Sequence, residues 1–593
     1  RSARTAGRGQ PQPAGHRPVA RARRHRQRAA PRHGCSGVGV RSARRGGRAD
    51  EAGFGGELED SKEALELYSH DASMFEIKPK LIIAPKTGKD IEAAVKIVAE
   101  RKAHDHDLSL TARSAGTDMS GAAINDSIII DFKRHLNKFI KLDGDKATVQ
   151  PGLLFRDFDK KTGKYLLPSY PASRDLASVG GMVNNNSGGE KSLEFGKTER
   201  YVPHMKFVFA DGIEREVKPL TKAQLDKKME QKDFEGKVYR DMFALVDKHY
   251  DAIKAAKPKV SKDSTGYHLW NVWDRETGIF DLTQVIIGAQ GTLGFVTEAT
   301  LQLVPRREHS GLLVLFMHDI DALGELIPKV LTHKPATFES FDDKTLWLSI
   351  RFMPSFLKLL GPKRFIKLLF TLIPDGLQLL RGVPKLILMV EFNGDSEQEV
   401  RDKVKALHKD LGPLRARYEI NGFEEDPTEG SSEKFWIMRR YSFQLLRSKV
   451  HDKHTAPFID DLIVAPEHMP EFLPKIRKII KKYKLFATIA GHMGDGNFHI
   501  IPLMKLEDKR DRKKIMPAMK EVNNLVLKYG GSLSGEHNDG LVRGPWLEQM
   551  YGKEIVGLFR ETKNIFDPQH IFNPHKKANA TWDYSYSHIR DHF

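Results

Sequence analysis

The sequence has one cysteine among its 593 residues, Cys35, and it lies in an N-terminal tail. The rest of the chain therefore contains neither a disulfide nor a cysteine ligand for zinc or an iron–sulfur cluster. Any metal site must use histidine and carboxylate. Long apolar runs are also missing, since none reaches the roughly 18 residues that a membrane-spanning helix needs. We therefore expect a globular protein of two or three domains that does not span a bilayer.

A balanced charge is missing too, but only at one end of the chain. The formal net charge is +18, and residues 1–50 hold 14 arginines, no lysine and a single acid, Asp50. The body from Glu51 onward carries 82 of the 96 basic and 77 of the 78 acidic residues, a net charge of +5. A nucleic-acid-binding function would rest on the tail alone, and we predict no nucleic-acid partner for the body.

The tail is rich in arginine, glycine and proline and lacks hydrophobic periodicity, so it cannot bury enough apolar surface to order itself. Three interpretations stay open. It is a targeting peptide, a nucleic-acid-binding arm or an over-extended gene start. We favour the last, because the tail uses only arginine where the body favours lysine, and the chain does not begin with methionine.

Strand and helix patterns divide the chain into four segments. Residues 1–56 form the tail, and 57–305 contain short β-branched runs broken by glycine-rich loops. From 306 to 577, longer strands alternate with amphipathic helices, which predicts an antiparallel sheet. Residues 578–593 form a C-terminal tail. The fold class predicted from these patterns is α+β.

The usual nucleotide-binding patterns are not present. No G-x-G-x-x-G follows a strand. The stretch "GGEKSLEFGKT" is similar to a Walker loop, but that pattern needs a glycine at position 191, and the nearest glycine is Gly189. Three other glycine loops are present instead: "ARSAGTDMSGAA" (112–123), "PASRDLASVGGMVNNNSGGEKSLEFG" (171–196) and "GAQGTLGFVTEA" (288–299). Each alone is compatible with an ordinary turn, but glycine also lets backbone amides approach a ligand closely.

Together and in this order, the three loops resemble the FAD-binding domain of the vanillyl-alcohol oxidase superfamily. Over residues 57–577 the chain resembles its flavin-dependent D-2-hydroxyacid dehydrogenases, which act on D-lactate, glycolate or D-2-hydroxyglutarate. The resemblance implies a PCMH-type, two-subdomain FAD-binding domain over 57–305. It also implies an FAD-linked oxidase C-terminal domain over 306–577, with a cap and substrate sheet.

The resemblance implies the cofactor contacts as well. The first loop would cradle the FAD pyrophosphate, the second would contact flavin and pyrophosphate, and the third would pass the adenine–ribose side. The implied residues are Arg113, Ser114, Ala115, Gly116, Thr117, Asp118, Ser120, Pro171, Ser173, Ser178, Gly180, Gly181, Asn185, Gly291, Gly294, Val296 and Asn538. Many relatives have glycine in place of Ala115 and Asp118. Relatives with covalent flavin carry histidine in place of Thr117, so we expect non-covalent FAD.

Two histidines bracket a turn in "LFATIAGHMGDGNFHIIPL" (485–503). Asp495-Gly496 between apolar runs is a strong signal for a two-residue hairpin. Such a turn predicts that His492 and His499 lie directly opposite each other, with Cβ atoms about 5 Å apart. Two imidazoles in this arrangement could share one divalent ion.

A third ligand would be a carboxylate, and "SGEHNDG" offers Glu536 beside His537. Two histidines and one carboxylate leave positions open for substrate, as a catalytic metal site requires. The family resemblance assigns His492, His499 and Glu536 as ligands of zinc or a similar ion, and His537 as the general base. The alternative for "EHND" is a solvated loop.

A guanidinium for the substrate carboxylate is expected in "EKFWIMRRYSF" (433–443). Relatives carry an arginine at the spacing that falls on Arg439, and the alternative is a solvated helix charge. The D-2-hydroxyglutarate enzymes also use a threonine and a lysine, whose positions here are Phe443 and Ile459. This difference argues against a second carboxylate on the substrate.

The resemblance thus predicts FAD-dependent, metal-assisted oxidation of a small D-2-hydroxy acid such as D-lactate. Arg439 and the metal would hold the substrate, His537 would take the hydroxyl proton, and a hydride would pass to the flavin. Electrons would go to a non-nicotinamide acceptor such as a quinone, a cytochrome or a flavoprotein. Alternatives are an oxidase that uses O2, an ether- or carbon–carbon-forming enzyme of the superfamily, and, remotely, a nucleic-acid-binding protein with a relict flavin fold.

Residues 351–382 are basic, rich in leucine and phenylalanine, and helical in period. They would either lie on an anionic membrane surface or pack as cap-domain helices on their sheet. We expect a cytoplasmic protein, peripheral at the inner face of the membrane in the first case, and a mitochondrial one if the tail is a transit peptide.

Overall fold

The computed structural model describes residues 53–351, 382–425, 435–439 and 453–592. The arginine-rich tail, Phe443 and nearly all of the 351–382 segment lie outside the described residues, and so do the expectations that rest on them. In the part of the chain that is described, no helix has the length and apolar character needed to cross a membrane.

The N-terminal part of the described chain contains fourteen short strands and nine helices. Its strands are β1 (Glu57–Glu59), β2 (Leu81–Ala84), β3 (Leu110–Arg113), β4 (Ile128–Asp131), β5 (Phe139–Asp143), β6 (Lys146–Val149), β7 (Tyr165–Leu166), β8 (His204–Val208), β9 (Glu214–Val217), β10 (Leu220–Thr221), β11 (Trp273–Asp274), β12 (Ile279–Phe280), β13 (Phe295–Gln302) and β14 (Val304–Pro305). Its helices are α1 (Lys62–Tyr68), α2 (Gly88–Arg101), α3 (Phe155–Lys161), α4 (Val179–Asn185), α5 (Ser192–Phe195), α6 (Lys222–Glu230), α7 (Phe234–Lys248), α8 (Tyr250–Ala255) and α9 (Thr283–Ile286).

Two sheets form the frame of this part. One has the order β1-β2-β4-β3 with parallel pairing of β2, β4 and β3, and the other is antiparallel with the order β5-β6-β13-β8-β9. Helix α2 covers the parallel sheet, because a capping box of Thr87 and Asp90 starts it and its buried face presents Ile91 and Val95. The first glycine loop follows β3, the second contains the short helix α4, and the third leads into β13.

The C-terminal part contains eight strands and nine helices with complete bounds. Its strands are β15 (His309–Met317), β16 (Thr337–Asp342), β17 (Leu386–Gly394), β18 (Asn421–Glu425), β19 (His454–Thr455), β20 (Leu462–Ile463), β21 (Phe486–His492) and β22 (Asn497–Met504). Its helices are α10 (Leu323–Thr332), α11 (Asp343–Arg351), α12 (Glu397–Asp410), α13 (Gly412–Arg417), α14 (Met469–Lys482), α15 (Lys509–Arg512), α16 (Ile515–Lys528), α17 (Leu547–Phe566) and α18 (Trp582–Ser587).

These strands form one antiparallel sheet of order β18-β15-β17-β16-β21-β22-β19, with β20 pairing to β22. Because successive side chains of a strand point to opposite faces, those of this sheet form two distinct surfaces. One face, with Leu313, Phe338 and Ile489, packs on the apolar sides of α10, α14 and α16. The opposite face carries Phe341 and Ala490 against the helical turn at 435–439, and continues into the histidines of β21 and β22. The α+β prediction is confirmed.

The predicted register of the histidine hairpin is wrong. Met493–Asp495 forms a 3-10 turn, which lengthens the connection from two residues to four. His492 therefore pairs with Asn497, and His499 pairs with Ala490. The two histidines are diagonal neighbours instead of direct partners. Because the shift is an even number of residues, both side chains still lie on the same face, and their ring centroids are 5.3 Å apart.

Gly496 closes this turn in the left-handed region, with φ of +70°. A Cβ atom there would lie 1.9 Å from the carbonyl oxygen of Val464, so no side chain fits without moving the backbone beside β20. Gly530 also has a positive φ, +66°, but a Cβ there meets nothing within 4 Å.

We therefore predict that Gly530→Ala costs about 1 kcal/mol of unfolding free energy, the backbone penalty alone. Gly496→Ala should cost about 2–4 kcal/mol, because overpacking adds to that penalty. Denaturant unfolding of both variants measures the difference. Equal losses would mean that the Val464 contact does not constrain the hairpin.

Candidate active site

One cavity of about 870 Å³ lies between the glycine loops and the histidine face of the sheet. Residues of all three loops line one side, and His492, His499, Glu536, His537 and Arg439 line the other. The volume is sufficient for a large cofactor together with a small ligand. Residues that are distant in sequence thus contribute to a single site.

The first loop is held in shape by its own charged side chains. The Arg113 guanidinium donates to the carbonyl oxygen of His70 at 2.8 Å, and Tyr68 and Ala123 supply longer contacts. The Asp118 carboxylate accepts from the backbone N–H groups of Ser120 and Ala122 at 2.9 and 2.8 Å. Both charges therefore stabilise the wall, and the loop presents mainly small side chains and backbone to the cavity.

The second loop enters α4 at Ser178, whose side chain accepts from the Gly181 N–H. A Cβ on Gly180 would lie 2.3 Å from Pro151 Cβ, so glycine allows this close packing. The loop also contacts the C-terminal part, since Asn185 donates to the Glu536 carbonyl oxygen at 3.3 Å. A ligand held by this loop would therefore lie next to the histidine cluster, which consists of His492, His499, His537 and Glu536.

Fourteen of the seventeen cofactor residues implied by the resemblance line the cavity. The exceptions are Ser120, Gly294 and Asn538. Ser120 bonds to Asp118 and Gln290 behind the wall, and Gly294 packs on β8, where a Cβ would lie 2.4 Å from Phe207. Asn538 donates to the carbonyl oxygens of Gly288 and Asn185. These three residues support the loops from outside the cavity.

The predicted metal ligands converge in the structure. His492 Nε2 lies 3.2 Å from Glu536 Oε1, and His499 Nε2 lies 3.8 Å from Glu536 Oε2. Such separations between donor atoms are typical of ligands that share one metal ion at about 2 Å. All three side chains are largely buried, so the two Nε2 atoms and the carboxylate form a preorganised donor set.

Two further carboxylates orient these imidazoles. Glu339 lies 2.5 Å from His492 Nδ1, and Asp460 accepts from His499 Nδ1 at 3.2 Å. Each leaves Nε2 as the nitrogen available for a metal. Neither residue was predicted from the sequence. The available signal for Glu339 was a charged residue within the strand "TFESFD", and the signal for Asp460 was the acidic pair in "FIDDLIVAP".

Asp461 offers carboxylate oxygens close to His499, Glu536 and His537, which together could hold a metal ion. Its oxygens accept from the backbone N–H groups of Glu536 and His537 at 2.9 and 2.7 Å, and from Asn497 Nδ2 at 3.0 Å. Because these donors occupy the Asp461 carboxylate, this residue positions the loop that carries Glu536 and His537. His492, whose Nε2 faces Glu536, is then the better third candidate ligand beside His499 and Glu536.

The charges around the cluster favour a divalent cation. The buried or nearly buried groups are the carboxylates of Glu339, Asp460, Asp461, Asp495 and Glu536 and the cations of Lys197, Lys262, Arg439 and Arg543. The carboxylates thus outnumber the fixed cations. Buried charges are costly unless balanced. A divalent cation on the His492–His499–Glu536 set would oppose this negative excess, and two imidazoles with one carboxylate are ligands that such an ion accepts, so the residues present fit it.

The pKa values show the same excess of negative charge. Burial alone would lower the pKa of His492, but Glu339 and Glu536 outweigh it and raise this pKa to about 9. Burial acts likewise on His537, where Asp460 and Asp461 raise the pKa to about 9. Burial alone would raise the pKa of the Glu536 carboxyl group, but His492 and Lys262 outweigh it and hold this pKa well below the usual range. Without a metal, protons on His492 and His537 would compensate the carboxylates, whereas burial lowers the pKa of His499.

The two predicted catalytic residues adjoin this cluster. His537 Nδ1 lies 2.8 Å from Asp460 Oδ2, and its ring stacks on His499 with centroids 5.0 Å apart. Arg439 Nη2 lies 3.3 Å from Glu339 Oε2. Glu339 and Asp460 thus each join a candidate metal ligand to a candidate catalytic side chain.

Comparison with known proteins agrees with this arrangement. Residues 79–218 match the model of the FAD binding domain, and residues 306–577 match that of FAD linked oxidases, C-terminal domain. D-2-hydroxyglutarate dehydrogenase of Escherichia coli is 26% identical over 534 residues, which cover 89% of this chain and 51% of that protein. The chain therefore spans about half the length of this relative. Glycolate oxidase subunit GlcD of Bacillus subtilis is 26% identical over 88% of this chain and 93% of its own length.

Solved structures share the fold at lower identity. A 4-ethylphenol oxidase from Gulosibacter chungangensis superposes with a TM-score of 0.62 at 13% identity, covering 88% of this chain and 94% of that one. An alkyldihydroxyacetonephosphate synthase gives a TM-score of 0.60 at 17% identity, covering 88% and 83%. At these identities the likeness concerns the fold alone.

The two domain matches, in this order on one fold with one cavity, define the class as FAD-linked oxidoreductases. Within that class, the chain carries an FAD binding domain followed by the C-terminal domain of FAD linked oxidases, and its relatives include proteins named D-2-hydroxyglutarate dehydrogenase and glycolate oxidase subunit. The resemblance expected from the three glycine loops is confirmed.

We predict that Asp460→Asn weakens metal binding about 10–100-fold, because the amide keeps the shape of the side chain but loses the charge that orients His499. FAD content should not change, since Asp460 lies outside the glycine loops. Metal titration against a chelator measures the effect. Asp281→Asn, which removes a carboxylate that accepts from Thr283, is the matched control. Unchanged affinity in Asp460→Asn would exclude the orienting role.

Proposed function

We propose that this protein oxidises a small D-2-hydroxy monocarboxylate of the D-lactate type to its 2-oxo acid, with bound FAD and a divalent metal, most simply zinc. One observation carries the proposal. The His492–His499–Glu536 set, His537 and Arg439 share one cavity with the glycine loops. The relatives named D-2-hydroxyglutarate dehydrogenase and glycolate oxidase subunit support a 2-hydroxy acid as substrate.

Arg439 would bind the substrate carboxylate. Its guanidinium lies at the cavity wall and contacts Glu339, which fixes its direction. A planar guanidinium suits a carboxylate because it can donate two parallel hydrogen bonds. The 2-hydroxyl group would then lie toward the two Nε2 atoms and Glu536, where a divalent cation would polarise the O–H bond.

His537 would take the hydroxyl proton. Asp460 lies beside its Nδ1, so Nε2 is the atom that can exchange a proton in the cavity. A base must be neutral before it acts, whereas the surrounding carboxylates raise the pKa of His537 to about 9. Positive charge at the neighbouring donor set would lower that pKa, which makes His537 a base when the divalent site is filled.

Bound FAD supplies a two-electron acceptor for the hydrogen that leaves the substrate carbon as hydride. The chain contributes position and environment. The Asn185–Glu536 contact keeps the second glycine loop against the histidine loop, and burial of the cluster strengthens each electrostatic interaction by lowering the local dielectric constant. Reduced flavin would then pass electrons to a non-nicotinamide acceptor.

The sheet face next to the histidines would accommodate the rest of the substrate. Thr488 and Ile501 are cross-strand partners two pairs beyond Ala490 and His499, so they lie on the same face, and all four residues line the cavity. This floor carries no formal charge. Ile459, at the position of a family lysine, is buried in the apolar core on the other side. The side chains of Thr488, Ala490 and Ile501 offer no cation for a second carboxylate, which favours a monocarboxylate.

The substrate proposal predicts which acids reduce the flavin. Under anaerobic conditions, D-lactate should bleach the flavin absorbance of the full-length protein, and D-2-hydroxyglutarate should do so less efficiently, because its second carboxylate has no cation on the described floor. Stopped-flow spectroscopy over a panel of D- and L-2-hydroxy acids is the measurement. Failure of every D-2-hydroxy acid would refute the proposed reaction, and a preference for D-2-hydroxyglutarate would refute the monocarboxylate assignment.

The roles of the histidines predict distinct losses. His492→Ala and His499→Ala should keep FAD and lose both metal and turnover, since the glycine loops are intact. His537→Ala should keep FAD and metal but turn over ~10²–10⁴-fold more slowly, because only the base is missing. Flavin spectra, metal analysis and steady-state assays of the three variants test this. If His537→Ala lost metal while His499→Ala kept it, the ligand and base roles would have to be exchanged.

A further inference from the structure

Lys262 occupies an unusual position, inside the candidate metal site. It belongs to the segment that follows α8 in the FAD-binding part. Its ammonium group lies 2.5 Å from Glu536 Oε1 and 3.3 Å from Asp495 Oδ2, and only 1% of its side chain is exposed. Glu536 is the carboxylate that would bind the metal. A fixed cation therefore shares this carboxylate with the candidate metal position.

We propose that Lys262 is a positioning residue that competes with the divalent metal for Glu536 and sets the net charge of the site. This inference rests on the metal site of the proposed function. Lys262 holds Glu536 in place when the metal is absent and leaves Oε2 directed toward His499. The same positive charge limits metal affinity, so the metal is exchangeable in a site that stays folded without it.

Charge balance gives the direction of the effect. With Lys262 present, the buried carboxylates around the donor set outnumber the fixed cations. Replacing Lys262 by an apolar residue raises this negative excess by one, and replacing Asp495 by an amide lowers it by one. Removing a positive charge close to a bound cation strengthens cation binding, because like charges repel strongly at low dielectric. A purely mechanical support would have the opposite effect, since its loss would disorder Glu536 and weaken binding.

Asp495 allows the opposite change of charge to be made within the same site. Its carboxylate is the second acid that contacts the Lys262 ammonium group, and it belongs to the 3-10 turn of the hairpin. It is outside the donor set of His492, His499 and Glu536, so an amide there changes the charge without removing a ligand. The double variant Lys262→Met/Asp495→Asn has the same net charge as the wild-type site.

The experiment is Zn²⁺ binding to the full-length, FAD-loaded protein, measured by chelator competition and by the Zn²⁺-induced rise in unfolding temperature. We expect Lys262→Met to bind Zn²⁺ roughly tenfold more tightly or better and Asp495→Asn to bind it roughly tenfold more weakly. The double variant and the charge-preserving Lys262→Arg should bind with affinity near that of the wild type. The thermal rise on adding Zn²⁺ should be largest for Lys262→Met, since the metal then replaces the missing cation.

Lys563→Met is the matched control. Lys563 is also buried beside a carboxylate, Asp567, and donates to the carbonyl oxygens of Thr292 and Phe572. It touches no residue of the histidine cluster, so its loss should lower the unfolding temperature and leave Zn²⁺ affinity unchanged. A general effect of losing a buried lysine is thereby separated from the charge effect.

Equal or weaker Zn²⁺ binding by Lys262→Met would overturn the inference and leave Lys262 as a mechanical support. The inference would also fall if the double variant bound like Lys262→Met, because affinity would not follow net charge. If Lys262→Met did not fold, the ordering of Asp495→Asn, the wild type and the double variant would decide. A wild-type protein that binds no Zn²⁺ would refute the metal assignment of the proposed function itself, a result distinct from the others.

Discussion

The site depends on one buried carboxylate, that of Asp461. It accepts hydrogen bonds from the backbone of Glu536 and His537 and from the side chain of Asn497, which pairs with His492 across the hairpin. A single side chain therefore fixes the loop that carries the candidate base and one ligand relative to the strands that carry the other two ligands. Hydrogen bonds to a buried charged group are stronger than neutral ones, and losing one partner leaves the group uncompensated.

The two parts of the chain provide different kinds of group to the cavity. The glycine loops offer mainly backbone and small side chains, and the charged residues of the first loop, Arg113 and Asp118, bond to backbone groups. The C-terminal part offers imidazole, carboxylate and guanidinium groups on strands, a loop and a helical turn. Such a division suits a large cofactor held along its length and a small substrate held at defined atoms. Lys262 is an exception, because it belongs to the FAD-binding part and supplies a charge to the candidate metal site.

Much of the fold and part of the site could be predicted from the sequence, for physical reasons. Glycine loops and alternating strands are local features, so the order of the loops and the α+β class were evident. His492 and His499 were expected on one face, and they lie there despite the wrong register, because a shift of two residues preserves the face of a strand. Glu339 and Lys262 could not be predicted, since they meet His492 and Glu536 only through tertiary pairing across 153 and 274 residues. Nothing local distinguishes them from a stray charge in a strand or a surface lysine.

The same geometry separates the candidate metal ligands from the proposed substrate floor. His492 and His499 are oriented by Glu339 and Asp460, whereas Thr488 and Ile501 form the next same-face pair beyond Ala490 and His499 and touch none of these carboxylates in the described hydrogen-bond network. A change at the latter pair would alter the size and polarity of the floor without disturbing the donor set. Under the proposed function, a different acid could therefore be accommodated around an unchanged donor set, because the floor and the donor set use separate same-face pairs of one sheet and share no side chain.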